Sequence, residues 1–219
     1  MLLLVTDTSG KDGSVALARA GSGEVEVIES VPLAGGTFSA QLVPQIAALL
    51  AKHGRRKNDI DAFIVVSGPG SFTGLRVGLA AIKALAEVLR RPIVPVSLLE
   101  VIAVAGGKSG KVLALLDAGR GEVYAGEYEV ADADARLLRE RLLAKDELPA
   151  IAGSQAVATP DEMLARNLRQ GSVHVPVPGA HVIARLGWRK LQAGLSVTPE
   201  QLEANYIRRS DAEIFAKSS

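Results

Sequence analysis

Asp7 and Asp117 each close an apolar run and open a polar turn. Leu-Leu-Leu-Val-Thr precedes Asp7-Thr-Ser-Gly-Lys-Asp-Gly, and Val-Leu-Ala-Leu-Leu precedes Asp117-Ala-Gly-Arg-Gly. Carboxylates paired at the ends of facing hairpins can position a divalent cation and phosphates. The same residues can instead bond to their own turn backbone, as aspartates at such places commonly do. A third candidate is the stretch 65–76, Val-Val-Ser-Gly-Pro-Gly-Ser-Phe-Thr-Gly-Leu-Arg, where a glycine-rich turn runs into a helix. Free N–H groups at such a junction attract anions. The spacing fits neither standard phosphate loop: no lysine lies between Gly68 and Gly78, and Gly74 falls one residue late for a dinucleotide fingerprint. Asp7, Gly68, Gly70, Ser71 and Asp117 are thus the candidates for touching a nucleotide or phosphate.

Other chemistries find less support. His53, His174 and His181 stand at no metal-ligand spacing, and cysteine is absent, which removes disulfides, thiolate catalysis and cysteine-bound metals. Ser67, Ser71 and Thr73 lie near a helix start without a G-x-S-x-G frame, so capping is the better reading of Ser71 or Thr73. No catalytic residue is assigned. Tyr206, Arg208 and Arg209 could form a small basic site, or simply solvated charge near the end of the chain.

The elements that would position these residues follow from periodicity. Residues 62–66 form a short buried-type strand. After the glycine turn, Leu75, Gly78, Leu79, Ile82, Leu85, Ala86 and Leu89 repeat at helical spacing, opposite Arg76, Lys83, Glu87 and Arg90. Upstream, strands at 2–6, 14–19 and 25–31 read as an antiparallel meander. A helix from about 38 to 53 carries Leu42, Val43, Ile46, Leu49 and Leu50, with Pro44 either in its first turn or kinking it. A strand at 93–96 gives the order β-β-β-α-β-α-β. Strand, Asp-led turn and strand recur at 112–130, which suggests a duplication. The charged stretch 132–149 reads as a short helix and loop around 137–148, residues 150–153 as a strand, and 159–168 and 181–193 as helices. The glycine-rich spacer at 105–111 is the expected boundary: a first unit of 1–104, rejoined by the tail 198–219, and a second of 105–197.

With 219 residues and a formal net charge of +1, the chain can bury a sizeable core and carries no broad nucleic-acid footprint. The opening apolar residues meet Asp7 at once and read as neither leader nor membrane span, so a cytoplasmic location is expected.

Four segments together resemble one family. Asp7-Thr-Ser after the first strand, the block Ser67-Gly-Pro-Gly-Ser-Phe-Thr-Gly-Leu-Arg76, Asp117-Ala-Gly-Arg-Gly-Glu-Val-Tyr124 and the terminal Tyr206-Ile-Arg-Arg are similar to bacterial TsaB, or YeaZ, proteins. The resemblance implies an α/β chain with the tandem actin/Hsp70-like fold (ASKHA, RNase H-like), two domains each with a mixed sheet and helices. It implies a non-catalytic subunit that binds and activates TsaD for threonylcarbamoyl transfer to adenosine 37 of tRNAs reading codons that begin with A, with TsaE as a third partner. It also implies a homodimer when the chain is alone, tRNA met only through the complex, no membrane, and no cofactor required by the chain, with ATP or ADP possible at the complex interface. An ATP-binding, phosphate-handling or peptidase-like enzyme of the actin-like superfamily is the alternative.

TsaD-like sequences carry an H-x-x-x-H metal pair on their first long helix, where this chain has Phe38, Gln41 and Pro44. No metal is expected. In the family the first two long helices form the partner interface, so Leu42, Ile46, Leu49, Gly74, Leu75, Gly78, Leu79 and Ile82 are the expected contact positions. The expected result of Gly78→Leu is an intact fold that no longer binds TsaD.

Overall fold

The computed structural model describes residues 1–132, 134–153, 155–168 and 172–208. Its first sheet is built from β1 (Leu2–Asp7), β2 (Gly13–Gly21), β3 (Glu24–Leu33), β4 (Ala62–Gly68) and β5 (Ile93–Ser97), in the order β3-β2-β1-β4-β5. β1, β2 and β3 pair antiparallel, while β4 and β5 add in parallel after crossovers through α1 (Phe38–Lys52) and α2 (Phe72–Leu89). β4 is buried at every position, as a central strand covered on both faces must be.

The second sheet repeats this plan. β6 (Gly110–Gly119), β7 (Glu122–Ala131) and β8 (Asp134–Ala144) pair antiparallel, and β9 (Ala156–Thr159) and β10 (Ser172–His174) add in parallel, giving β10-β9-β6-β7-β8. Here the crossovers are short: α4 (Leu148–Ala152) and α5 (Glu162–Asn167). Asp161 caps α5, its carboxylate accepting from Leu164 N–H at 3.0 Å.

Between the sheets lie α3 (Leu98–Ala105) and α6 (Ala180–Gln192). Strand alternation sorts the core into three parts. Leu3, Val5, Ile64 and Val94 of the first sheet, and Val112, Ala114 and Tyr128 of the second, pack on α3 and α6. Leu4, Phe63 and Val65 point the other way, to α1 and α2, and Leu113, Leu115 and Val123 point to α4 and α5.

Several sequence expectations give way. α3 is a helix not assigned from the sequence, because Leu-Leu-Glu-Val-Ile-Ala-Val-Ala has no continuous polar face; it is buried between two sheets. Residues 134–144 form edge strand β8 rather than helix and loop. Their Leu, Arg and Glu content favours a helix, but pairing along β7 wins, with Arg136–Glu129 and Arg141–Glu127 ion pairs on the ladder. Residues 150–153 fall at the end of α4 instead of in a strand. Pro44 sits inside α1, beyond its first turn.

The expected boundary at 105 does not separate the packing units. α6, assigned to the second, packs on β1–β5, with Gly187 against Ile64. α3, assigned mostly to the first, packs on β6–β9. Each connecting helix crosses to the neighbouring sheet. The 198–219 tail is described only to 208; within it Leu202 is buried among α1, α2 and the first sheet, and Arg209 lies outside the described residues.

Candidate functional site

Asp7 stands at the end of β1, and its Oδ1 accepts from Ser9 N–H at 2.8 Å and Ser9 Oγ–H at 2.6 Å. This turn folds inward: Thr8 and Ser9 are both buried. Burial pushes the Asp7 carboxyl above the ordinary carboxylate range, against the downward pull of the two Ser9 bonds.

What receives the turn is the glycine face of α2. A Cβ built on Gly78 would lie 2.1 Å from Thr8 Oγ1, one on Gly74 2.1 Å from the Thr8 carbonyl oxygen, and one on Gly70 2.2 Å from that of Ser9. Ser71 N–H donates to the Ser9 carbonyl at 2.7 Å, and Ser71 Oγ caps α2 by accepting from Gly74 N–H at 3.2 Å. The glycine groove is therefore filled by the chain's own Thr8. This corrects the expectation that Gly74 and Gly78 receive a partner helix. Leu42, Ile46, Leu49, Leu75, Leu79 and Ile82 are likewise buried in the chain's own core, so none of the eight offers a free surface. The residues expected at the interface are thus the inward faces of α1 and α2.

The outward faces carry a different set. On α1 these are Val43, Pro44, Ala47, Ala48 and Ala51, and on α2 Ala80, Ala84 and Val88. Val43 and Val88 are 52% and 71% exposed.

Asp117, near the end of β6, occupies the place in the second sheet that Asp7 holds in the first, but its surroundings differ. Its side chain is exposed, and Oδ1 pairs with Lys145 Nζ at 2.7 Å, which raises the Lys145 ammonium above its ordinary range. Both aspartates line one cleft of about 1590 Å³ between the halves, together with Ser9, Lys11, Gly70 and Ser71. Gly68 is not among the lining residues. It lies against the backbone of Asn205, where a Cβ would come within 2.9 Å of the carbonyl oxygen. The N–H groups of Ser71, Gly74 and Leu75 are bonded within the chain, so this turn is a joint more than an open cradle.

Residues 205–208, in which the sequence offers Tyr206 and Arg208 only as a small basic site or solvated charge, form a strap across the cleft. Asn205 N–H donates to the Ser67 carbonyl at 2.7 Å in the first half, and its Nδ2 donates to Glu140 Oε2 at 2.5 Å in the second. Tyr206 packs on Phe72 at 5.0 Å between ring centroids, with the Arg76 guanidinium 3.7 Å over the Phe72 ring. Arg208 donates to the Ala118 carbonyl at 2.9 Å and pairs with Glu122, closing on the Asp117 turn. Glu140 also accepts from Ser97 Oγ–H at 2.6 Å and from the Tyr128 hydroxyl. Burial and that neighbouring carboxylate push the phenol far above its ordinary range. Between the sheets Lys190 pairs with Glu100 at 2.6 Å, joining α6 to α3. A signal existed in the tail's Asn-Tyr-Ile-Arg, but nothing local says that these side chains alternate between the two halves.

Comparison with known proteins places this geometry. Relatives named tRNA threonylcarbamoyladenosine biosynthesis protein TsaB are 34% identical in Bacillus subtilis and 37% identical in Haemophilus influenzae, over 59% and 57% of this chain. The chain spans about half the length of these relatives, 56% and 52%. The Escherichia coli relative of that name is 29% identical over 97% of this chain and 96% of its own length. A family model, TsaD: tRNA N6-adenosine threonylcarbamoyltransferase, matches residues 32–181. The chain belongs to this family, in its TsaB branch. The solved structure of YeaZ from Pseudomonas aeruginosa superposes with a TM-score of 0.77 at 27% identity, covering 94% of this chain and 99% of that one. The two sheets of matching order are those of the tandem actin-like (ASKHA) fold.

The metal pair of TsaD-like sequences does not fit here. Of the positions the resemblance matches to it, Phe38 is buried and apolar and Pro44 lacks a donor atom. Among the described residues no group of three or more His, Cys, Asp or Glu side chains could hold an ion, and no helix is long and apolar enough to cross a membrane.

Proposed function

We propose that the chain is a non-catalytic partner subunit in the synthesis of N6-threonylcarbamoyladenosine at tRNA position 37. In this role it binds and activates a TsaD-type transferase through the outward faces of α1 and α2, with a TsaE-type protein joining the complex. The observation that carries the reading is the exposed apolar residues of those helices, Val43, Ala47 and Ala51 on α1 and Ala80, Ala84 and Val88 on α2. Burying Val43 and Val88 alone would contribute about 2–4 kcal/mol at some 25 cal/mol per Å². Alone, the chain covers this surface with a second copy. It works in the cytoplasm and meets tRNA within the complex.

The direct test is threonylcarbamoyl transfer from the AMP ester to unmodified tRNA, assayed with TsaD and TsaE in the presence and absence of this chain. The expected result is no turnover by the chain alone and a strong rise when it is added. Equal rates with and without it would overturn the reading.

A second reading rests on the cleft. Asp7, Gly70, Ser71 and Asp117 converge on a space large enough for a nucleotide, ATP or ADP, or for phosphate-handling chemistry. Calorimetry with Mg-ATP on the isolated chain separates the two, since heat of binding is expected only from the second.

A further inference from the structure

At the end of the first sheet where β4 and β5 begin, remote from the cleft, two turns meet. Residues 53–59 follow α1 and lead into β4, and residues 90–92 follow α2 and lead into β5. Arg91 Nη2 donates to the Asn58 carbonyl at 3.3 Å and locks the turns side by side. They carry Arg55, Arg56, Lys57, Arg90 and Arg91, of which all but Arg91 are exposed. Among the described residues, Arg55, Arg56, Lys57 and Arg90 have no carboxylate within ion-pair distance, while the nearby Lys52 and His53 both contact the Glu29 carboxylate at 2.7 Å. Asp59 and Asp61 are turned to backbone, accepting from Arg56 N–H and Leu2 N–H.

Cations at helix C-termini offset the helix dipole, which accounts for Lys52 on α1 and Arg90 on α2. It does not account for the run at 55–57, beyond the last turn of α1. Beside the ridge lies a hollow of about 360 Å³ lined by Arg90, Arg91, Ser196 and Thr198, with Glu87 at its side. Guanidinium forks next to hydroxyls match the spaced oxyanions of a phosphodiester chain. In a protein of net charge +1 this concentration is local.

We infer that this ridge is a contact surface for the phosphodiester backbone of the tRNA handled by the complex. The inference rests on the proposed function. The ridge lies at the C-terminal ends of α1 and α2, whose outer faces would hold the transferase, so RNA bound to that partner can continue over it. Seven residues of β4, about 20 Å at 3.3 Å per residue, separate it from the Gly68 turn, so the contact leaves the cleft free.

The test is fluorescence anisotropy of labelled, unmodified tRNA titrated with the chain–TsaD complex across about 50–200 mM salt, using native protein, R55E/R56E/R90E, and an R185E control at the exposed Arg185 of α6. The triple variant should assemble with TsaD normally by light scattering. It should bind tRNA at least tenfold more weakly, with a log K against log salt slope shallower by about 2–3, the loss expected for three phosphate contacts. R185E should change neither. Equal tRNA affinity and slope for native and triple variant would overturn the inference, as would loss of binding to anionic vesicles with tRNA binding intact. If native chain fails to assemble with TsaD, the proposed function fails. The inference is then decided on the isolated chain, supported by a steep salt slope that the variant lacks and overturned by its absence.

Discussion

The two halves of the molecule share a strand order and a strand–Asp–turn–strand opening, yet they treat that opening in opposite ways. In the first half the turn is drawn inward onto α2, Asp7 is held by Ser9, and helices of 15 and 18 residues cover the sheet. In the second, the Asp117 turn faces solvent, its carboxylate pairs with Lys145, and the covering helices have 5 and 6 residues. The two halves share the order of their hydrogen-bonded strands and differ in the helices that cover them. Only the first pair is long enough to present an outer face as well as an inner one, which is why the proposed partner surface is put there.

The sharpest way to break this comparison is to fill the groove under the first turn. Gly78→Leu places side-chain atoms where Thr8 sits and should cost about 3 kcal/mol or more, read as a large drop in the urea midpoint. In the second half Gly121, at φ +79° with open space around it, should lose only about 1 kcal/mol on change to Ala, from backbone strain alone. The strap comes next. Arg208→Ala removes bonds to Ala118 and Gly119 and the Glu122 pair, and should cost about 1–2 kcal/mol while speeding amide exchange in the 117–121 turn.

Asp7 and Asp117 then separate by pH. A carboxyl raised by burial holds its proton more tightly in the folded state. Ionising it therefore lowers stability as pH rises from the ordinary carboxylate range, about 4, through the raised value. Asp7→Asn keeps an acceptor for Ser9 and removes that penalty, so its melting temperature relative to native should climb between pH 4 and 7. A flat difference would show that Asp7 is not burdened by burial. Asp117→Asn gives up only an exposed ion pair, a change of a few tenths of a kcal/mol between pH 5 and 8.

Much of this was legible beforehand. Apolar runs ending in Asp7 and Asp117 revealed both hairpins, and the 3.6-residue repeat after Ser71 marked α2 with its cap. What failed shares one cause: long-range packing decides it. α3 has no polar face to register because it is enclosed by two sheets, and residues 134–144 have helical composition but lie beside β7. Gly74 and Gly78 announced a close approach correctly. Their spacing carries no information on what approaches, and Thr8 lies some seventy residues away in the chain. The strap was illegible for the same reason, since Asn205 and Arg208 acquire meaning only when the halves close around them.

The most direct test of the partner-subunit account is size-exclusion chromatography with light scattering on this chain mixed with TsaD from the same organism, comparing native protein with V43E/V88E. Both valines are exposed, so the variant should melt like native. The account predicts a new peak at the mass of a one-to-one or two-to-two complex for native protein, and separate elution for the variant. Independent elution of native chain and TsaD, or a complex that the variant forms equally well, would contradict it.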